Sequence, residues 1–254
     1  MSKIFVIAAR DFKSLVFSPL YLMVAGICTV LWSFIYLRAI GQFAQRLQMS
    51  QMQGGGAMNI YEGLFFNLIS IVHLILIVAI PMLTMRLLSE EKKSRTFDLL
   101  LTSPITSTDI AVGKFLAGLG AATVLLLLSF TYPLMTRLVT EFNWMMLFTS
   151  YLGLFLLLGV YVAVGLFASS VTESALLAVI LAIVVNFTLW FLGQGADGSD
   201  SVVMTIIDKI SVAENFSSFV KGTFKISSFV FFLTFISFFV FLAERVVEST
   251  RWRS

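Results

Sequence analysis

Between two long apolar runs lies one charged stretch, SEEKKSRTFDLLLTSPITSTDIAVGK, from Ser89 to Lys114. Its carboxylates, Glu90, Glu91 and Asp98, stand among Lys92, Lys93 and Arg95. A polar segment flanked in this way must lie in water against a membrane. Its charges suit docking: carboxylates meet basic groups on a partner, and an apolar face anchors the contact. Thr96-Phe97-Asp98-Leu99-Leu100-Leu101 supplies such a face. Read as a helix, it sets Phe97 beside Leu100 and Leu101 at i,i+3 and i,i+4. Leu99 turns elsewhere, since neighbours differ by about 100°. Ser103-Pro104 ends this helix, and Thr106 or Ser107, with Asp109, caps the next. The plainer reading of Glu90 to Arg95 is a solvated loop.

Three polar side chains stand out inside the apolar runs: His73, Asn67 and Asn186. Such groups are costly in lipid and mark candidate functional positions. The plainer account is interhelical hydrogen bonding, worth ~1 kcal/mol each. Met49, Met52 and Met58 carry thioethers suited to Cu(I), but the plainer reading, a loose loop in a Met-rich chain, is preferred. Catalytic chemistry is missing. With one His in the chain, no His-based metal cluster is available within it. Gly113-Lys114 is followed by Phe115 rather than Ser or Thr, so it is not a phosphate-cradling P-loop. No GxSxG occurs. The chain reads as non-enzymatic, with no cofactor or metal of its own and no means of hydrolysing ATP. Cys28, in an apolar run, reads as packing. The basic residues gather at the ends of the runs, which is not a nucleic-acid footprint.

The elements that must hold these residues are membrane helices. The 254-residue chain is 59% hydrophobic and 12% charged, with a mean hydropathy of +0.97. A soluble domain needs about a quarter charged residues, so lipid must cover this one. Six runs free of Lys, Arg, Asp and Glu are candidate spans: Pro19–Leu37, Gly63–Met85, Phe115–Thr136, one within Phe142–Thr172, Ser174–Gln194 and Ile226–Ala243. Each is near the ~20 residues that cross a bilayer. They are continuously apolar, unlike barrel strands.

The sequence therefore predicts an all-α, polytopic, single-domain membrane protein. Residues 1–18 form an amphipathic interfacial helix, 19–243 a six-span bundle and 244–254 a tail. In the first segment Ile4, Ile7, Ala8, Phe12, Leu15 and Val16 share one face, with Lys3, Arg10 and Lys13 elsewhere. Ser18-Pro19 separates it from the first span, whose apolar run is too long for a signal peptide. Pro81 and Pro133 predict kinks. If both termini and Ser89–Lys114 share a side, that side holds 11 of the 17 Lys and Arg residues, which makes it the cytoplasm. The opposite loops are Arg38–Glu62, Arg137–Glu141 and Gly195–Lys225. The last carries Val202, Ile206 and Ile210, then Phe216, Phe219 and Val220, as short helices on the outer surface or dipping into the bundle.

The run from Glu90 to Ile105, followed by Asp109-Ile110 and Gly113-Lys114-Phe115, resembles the signature of ABC-2 type transporter permeases. There an acidic pair precedes T-F-[DE]-L-L-L-[TS]-[SL]-P. Ser211 to Gly222, SVAENFSSFVKG, is similar to the S-x-x-x-H-F-x-x-F-x-K-G of the gliding-motility (Gld-type) branch, with the Nos-type permeases close by. Asn215 stands where that branch often has His. The resemblance covers nearly the whole chain. It implies a six-span permease in the bacterial cytoplasmic (inner) membrane, with both termini cytoplasmic. It implies pairing with a second copy or a homologous permease around a translocation path, and an accessory extracytoplasmic protein as a further partner. ATP and Mg belong to separate ABC ATP-binding subunits. Those subunits couple through a helix between spans two and three, which assigns Glu90, Glu91, Thr96, Phe97, Asp98, Leu100, Leu101, Ser103 and Pro104 to coupling.

Other classes remain open on the residues alone. A secondary transporter calls for charges or broken helices within the spans, and these spans carry no charge. A non-transporting transducer or scaffold of the same fold needs the same coupling segment. The substrate is not legible.

Overall fold

The computed structural model describes residues 3–52, 60–94, 105–192 and 211–251, and every regular element among them is helical. Helix α1 (Lys3–Val16) is followed by Ser18, whose hydroxyl donates to Leu15 O at 2.7 Å and accepts from Tyr21 N at 3.1 Å. One side chain thus closes α1 and opens α2 (Pro19–Met52), with Pro19 at the first helical position where its missing N–H costs nothing.

The sequence reading ended the first span at Leu37 and gave Arg38 to Glu62 to a loop. The structure corrects this. α2 has 34 residues and so runs about 50 Å. The segment past Leu37 is rich in Gln, with Arg, Ala and Met, all good helix formers. Falling hydropathy ends a membrane crossing but does not end a helix.

A π-turn at Tyr61–Phe65 leads into α3 (Phe66–Thr84), and α4 (Arg86–Lys93) follows after a break at Met85. Next come α5 (Ser107–Ser129), α6 (Thr131–Arg137), α7 (Trp144–Val171), α8 (Ala175–Phe191), α9 (Val212–Val220) and α10 (Ile226–Arg251). Pro81 lies inside α3, one turn before the break at Met85. Pro133 follows the break at Phe130 between α5 and α6 by three residues, within the single apolar stretch Ser107–Arg137; it cannot donate to Ser129 O, so the interruption falls where a proline places it.

Five helical stretches among the described residues are long and apolar enough to cross a membrane: Pro19–Met52, Tyr61–Lys93, Ser107–Arg137, Trp144–Val171 and Ile226–Thr250. The remaining run, α8, is an apolar helix of 17 residues. The stretch at α7 is the central one. Its most apolar window is 83% buried, against 28% for α2 and 17% for α10 at the periphery. The main core gathers Trp32, Phe65, Leu68, Ile77, Tyr161, Phe219 and Phe232 around it.

Helix α9 dips into the bundle. Phe216, Phe219 and Val220 are buried. Close approach to α7 depends on Gly153, where a Cβ would lie 2.6 Å from Phe219 Cβ. The Tyr61 hydroxyl fixes the end of α9 by bonding to Val220 O and the Ser150 hydroxyl. Gly222, at φ +76°, then reverses the chain. Thr223 N bonds to Ser218 O at 3.0 Å and Gly222 N to Phe219 O at 3.0 Å. That pair is a Schellman closure, which needs a left-handed residue and explains glycine after Lys221.

Candidate functional site

Lys114 lies two turns into α5, yet only 3% of its side chain is exposed. Its ammonium sits between carboxylates from two other helices. Asp11 Oδ2 on α1 is 3.0 Å away and Glu91 Oε1 on α4 is 2.8 Å away. Arg10 completes the cluster, with Nε 2.8 Å from Asp11 Oδ1 and Nη2 3.6 Å from Glu91 Oε1. The hydrogen bond that Arg10 donates to Asp11 raises the pKa of Arg10 above its ordinary value. Two cations therefore face two carboxylates. An ammonium taken out of water needs such partners, or its desolvation would dominate. Gly113 lets α1 come this close: a Cβ there would lie 3.0 Å from Ile7 Cβ.

The other side of α4 is held by α7. The Ser169 hydroxyl donates to Met85 O at 2.9 Å and accepts from Leu88 N at 2.9 Å and Ser89 N at 3.0 Å. These amides belong to the first turn of α4, where the helix has no partners of its own. Ser169 therefore acts as a cap supplied from another helix. Lys92 donates to Ser170 O next to it. Leu87 and Leu88 are buried with Ile110, Leu166, Ala243 and Val247 in a second apolar cluster at this end of the bundle. The start of α5 is fixed by a capping box: Thr106 Oγ1 accepts from Asp109 N at 3.1 Å, and Asp109 Oδ2 accepts from Thr106 N at 3.2 Å. Of the two capping candidates, Thr106 is the cap.

This corner includes part of the segment singled out in the sequence. Glu90 is exposed and lies 3.6 Å from Arg86 one turn earlier. Glu91 turns inward to Lys114. A cleft of about 340 Å³ opens between α1 and α4, lined by Asp11, Ser14, Arg86, Glu90, Glu91 and Lys114. Thr96, Phe97, Asp98, Leu100, Leu101, Ser103 and Pro104 lie outside the described residues. Sequence reasoning missed Asp11, Arg10 and Ser169, and took Lys114 as a boundary charge. Two signals were available. Asp11 is the one acid in α1, and Lys114 falls two turns into a helix whose charged residues are otherwise confined to its first turn.

The interior of the bundle, about midway along α3, holds His73. Its Nε2 is 2.7 Å from the Tyr161 hydroxyl on α7. The Trp190 ring lies 3.7 Å away between centroids, and Phe216 lies 5.5 Å away. Beside this cluster is a cleft of about 850 Å³ lined from α3, α8 and α9. The three intramembrane polar candidates do not form one site. Asn67 faces outward. Asn186 is fully buried on α8, and neither atom of its amide has a hydrogen-bond partner among the described residues. Met49 and Met52 are exposed near the end of α2, and Met58 lies outside the described residues. Among the described residues no group of three or more His, Cys, Asp or Glu is placed to hold a metal.

A family model described as ABC-2 family transporter protein matches residues 5–253. The chain belongs to this family. The match takes in the corner around Lys114 and the α9 region alike. Curated proteins give no match to the chain. As an ABC-2 family member with several apolar helices, it is a multi-pass membrane protein of the ABC transporter class. The family fits a non-catalytic membrane subunit and implies ATP-binding partner subunits in general.

Proposed function

We propose that this ABC-2 family protein is the permease subunit of an ATP-driven transporter in the bacterial cytoplasmic membrane, within the Gld-type and Nos-type branch. In this reading α8 is the fifth of six crossings, both termini are cytoplasmic, and the corner around Lys114 faces the cytoplasm. At 17 residues, α8 covers about 25 Å, and its flanking residues or local bilayer thinning complete the crossing. Two permeases, identical or homologous, surround the path. Separate subunits bind ATP and Mg and dock on the segment 89–114. The extension of α2 to Met52 offers an accessory extracytoplasmic protein a handle.

The observation that supports coupling is the way α4 is tied at one end of the bundle. It joins α1 and α5 through Lys114, and α7 through Ser169. Movement delivered to the chain just after α4 reaches three other helices at once. Glu90, exposed, is suited to contact the partner, together with Thr96, Phe97, Asp98, Leu100 and Leu101, and Ser103-Pro104 closes the docking helix. Glu91 serves inward, holding the docking segment to the bundle.

The test is co-purification with the cognate ATP-binding subunit at low and high salt. Glu90→Lys should weaken association at least several-fold and reduce stimulation of the ATPase, while Asn67→Ala, at the other end of α3, leaves both intact. Association and stimulation unchanged by Glu90→Lys combined with Leu100→Asp would defeat the docking reading.

A further inference from the structure

Helix α9 has two unlike faces. Phe216, Phe219 and Val220 enter the bundle, while Glu214, Ser217 and Lys221 line the 850 Å³ cleft. Glu214 and Lys221 are seven positions apart, which places them on one face about 10 Å apart along the axis. Both are exposed, and neither has an ion-pair partner among the described residues. The wall opposite is apolar and open: Phe66, Leu74 and Phe191 are 46%, 47% and 52% exposed. The floor is the ring cluster of His73, Trp190 and Phe216. The volume falls within the range of about 300–1,000 Å³ usual for small-molecule sites.

These features select among ligands. A carboxylate and an ammonium on one edge, with an apolar wall beneath them, fit an amphiphile that carries a cation and an anion together above its chains. A lipid with a purely anionic head would satisfy Lys221 and be repelled by Glu214. An uncharged amphiphile would use neither. The cleft opens beside Phe66 at the start of α3 and Phe191 at the end of α8 and reaches inward to His73; Trp190 in its lining is a residue type common at the headgroup level of a bilayer.

We infer that this cleft binds the headgroup of a zwitterionic phospholipid of the ethanolamine type. Glu214 takes the ammonium, Lys221 takes the phosphate, and the chains lie along Phe66, Leu74 and Phe191. No bond is made or broken. The binding does not depend on the permease reading. If that reading holds, the cleft is the place where an amphiphile meets the path from the outer leaflet.

The test uses the full-length chain purified in mild detergent, with no ATPase present, so its outcome is separate from that of the docking experiment. Dioleoyl phosphatidylethanolamine and dioleoyl phosphatidylglycerol, which share the same chains, are titrated in parallel, and bound lipid is read by native mass spectrometry. The wild type should retain the ethanolamine lipid at least fivefold better. Glu214→Gln with Lys221→Gln should abolish the preference without lowering the melting temperature. Lys225→Gln, a nearby exposed lysine outside the cleft, should leave it unchanged. Equal retention of the two lipids by the wild type overturns the inference. So does a preference that survives neutralising Glu214 and Lys221, or one that Lys225→Gln removes as effectively.

Discussion

Lys114 Nζ and Glu91 Oε1 lie 2.8 Å apart, joining α5 to α4 at a point where the lysine is almost wholly buried. Asp11 approaches the same ammonium from α1. With Asp11, the bond makes three chain segments, far apart in sequence, into one unit at the end of the bundle that holds α4.

Removing the lysine should therefore cost more than a surface ion pair. Lys114→Met leaves two carboxylates facing each other with the compensating charge reduced to Arg10. Breaking a buried pair in this way costs about 3–5 kcal/mol. Thermal unfolding in detergent should show a large drop in melting temperature. Adding Asp11→Asn and Glu91→Gln should restore most of it, because no carboxylate is then left without its buried cation and Arg10, 57% exposed, keeps its charge in water. A triple variant as unstable as Lys114→Met would show that the loss comes from packing and not from charge.

His73 and Tyr161 form a second pair, between α3 and α7, at 2.7 Å. A hydrogen bond between membrane helices contributes ~1 kcal/mol. A double-mutant cycle with His73→Phe and Tyr161→Phe should give a coupling energy near that value. Trp190, against the His73 ring, stays in place throughout, so stacking contributes equally to both tyrosine arms. Purely additive effects would mean the bond is not made.

Asn186 presents the reverse case. Its amide is fully buried and neither atom has a partner among the described residues. An unsatisfied buried polar group costs about 1–3 kcal/mol. Asn186→Leu, which is similar in volume, should raise the melting temperature, and a fall would point to a partner that the bundle acquires in its assembled form.

The helical class, the apolar runs and the family resemblance were legible because they rest on long, repeated signals. The same signals misplaced the end of α2. Hydropathy reports where lipid ends, whereas helix propensity carried the chain on past Arg38 and Arg46 to Met52. The capping box was legible to within one residue, since Thr106 and Asp109 lie three apart and act locally. The site around Lys114 was not. Its members come from positions 10, 11, 91 and 114, and only the packing of α1 onto Gly113 brings them together. In the sequence each looks like an ordinary charge at a membrane boundary. Glu91 shows the consequence: paired with Glu90 in the sequence, it turns away from it in the fold.

Ser169 provides the most direct test of how α4 is held. Its single hydroxyl serves Met85 O, Leu88 N and Ser89 N, spanning the break between α3 and α4. Ser169→Ala strips the first turn of α4 of its cap, a loss of roughly 1 kcal/mol by the usual capping scale. The effect should be local. Hydrogen exchange should speed at Leu88 and Ser89, while the start of α5, closed by its own Thr106–Asp109 box, keeps its protection. If α4 transmits a partner's movement through this attachment, Ser169→Ala should also lower ATPase stimulation while the partner still binds, because Glu90 and the docking segment are untouched. Faster exchange at Leu88 and Ser89 with full stimulation would leave Ser169 as a structural cap alone and assign transmission to the Lys114 side of α4.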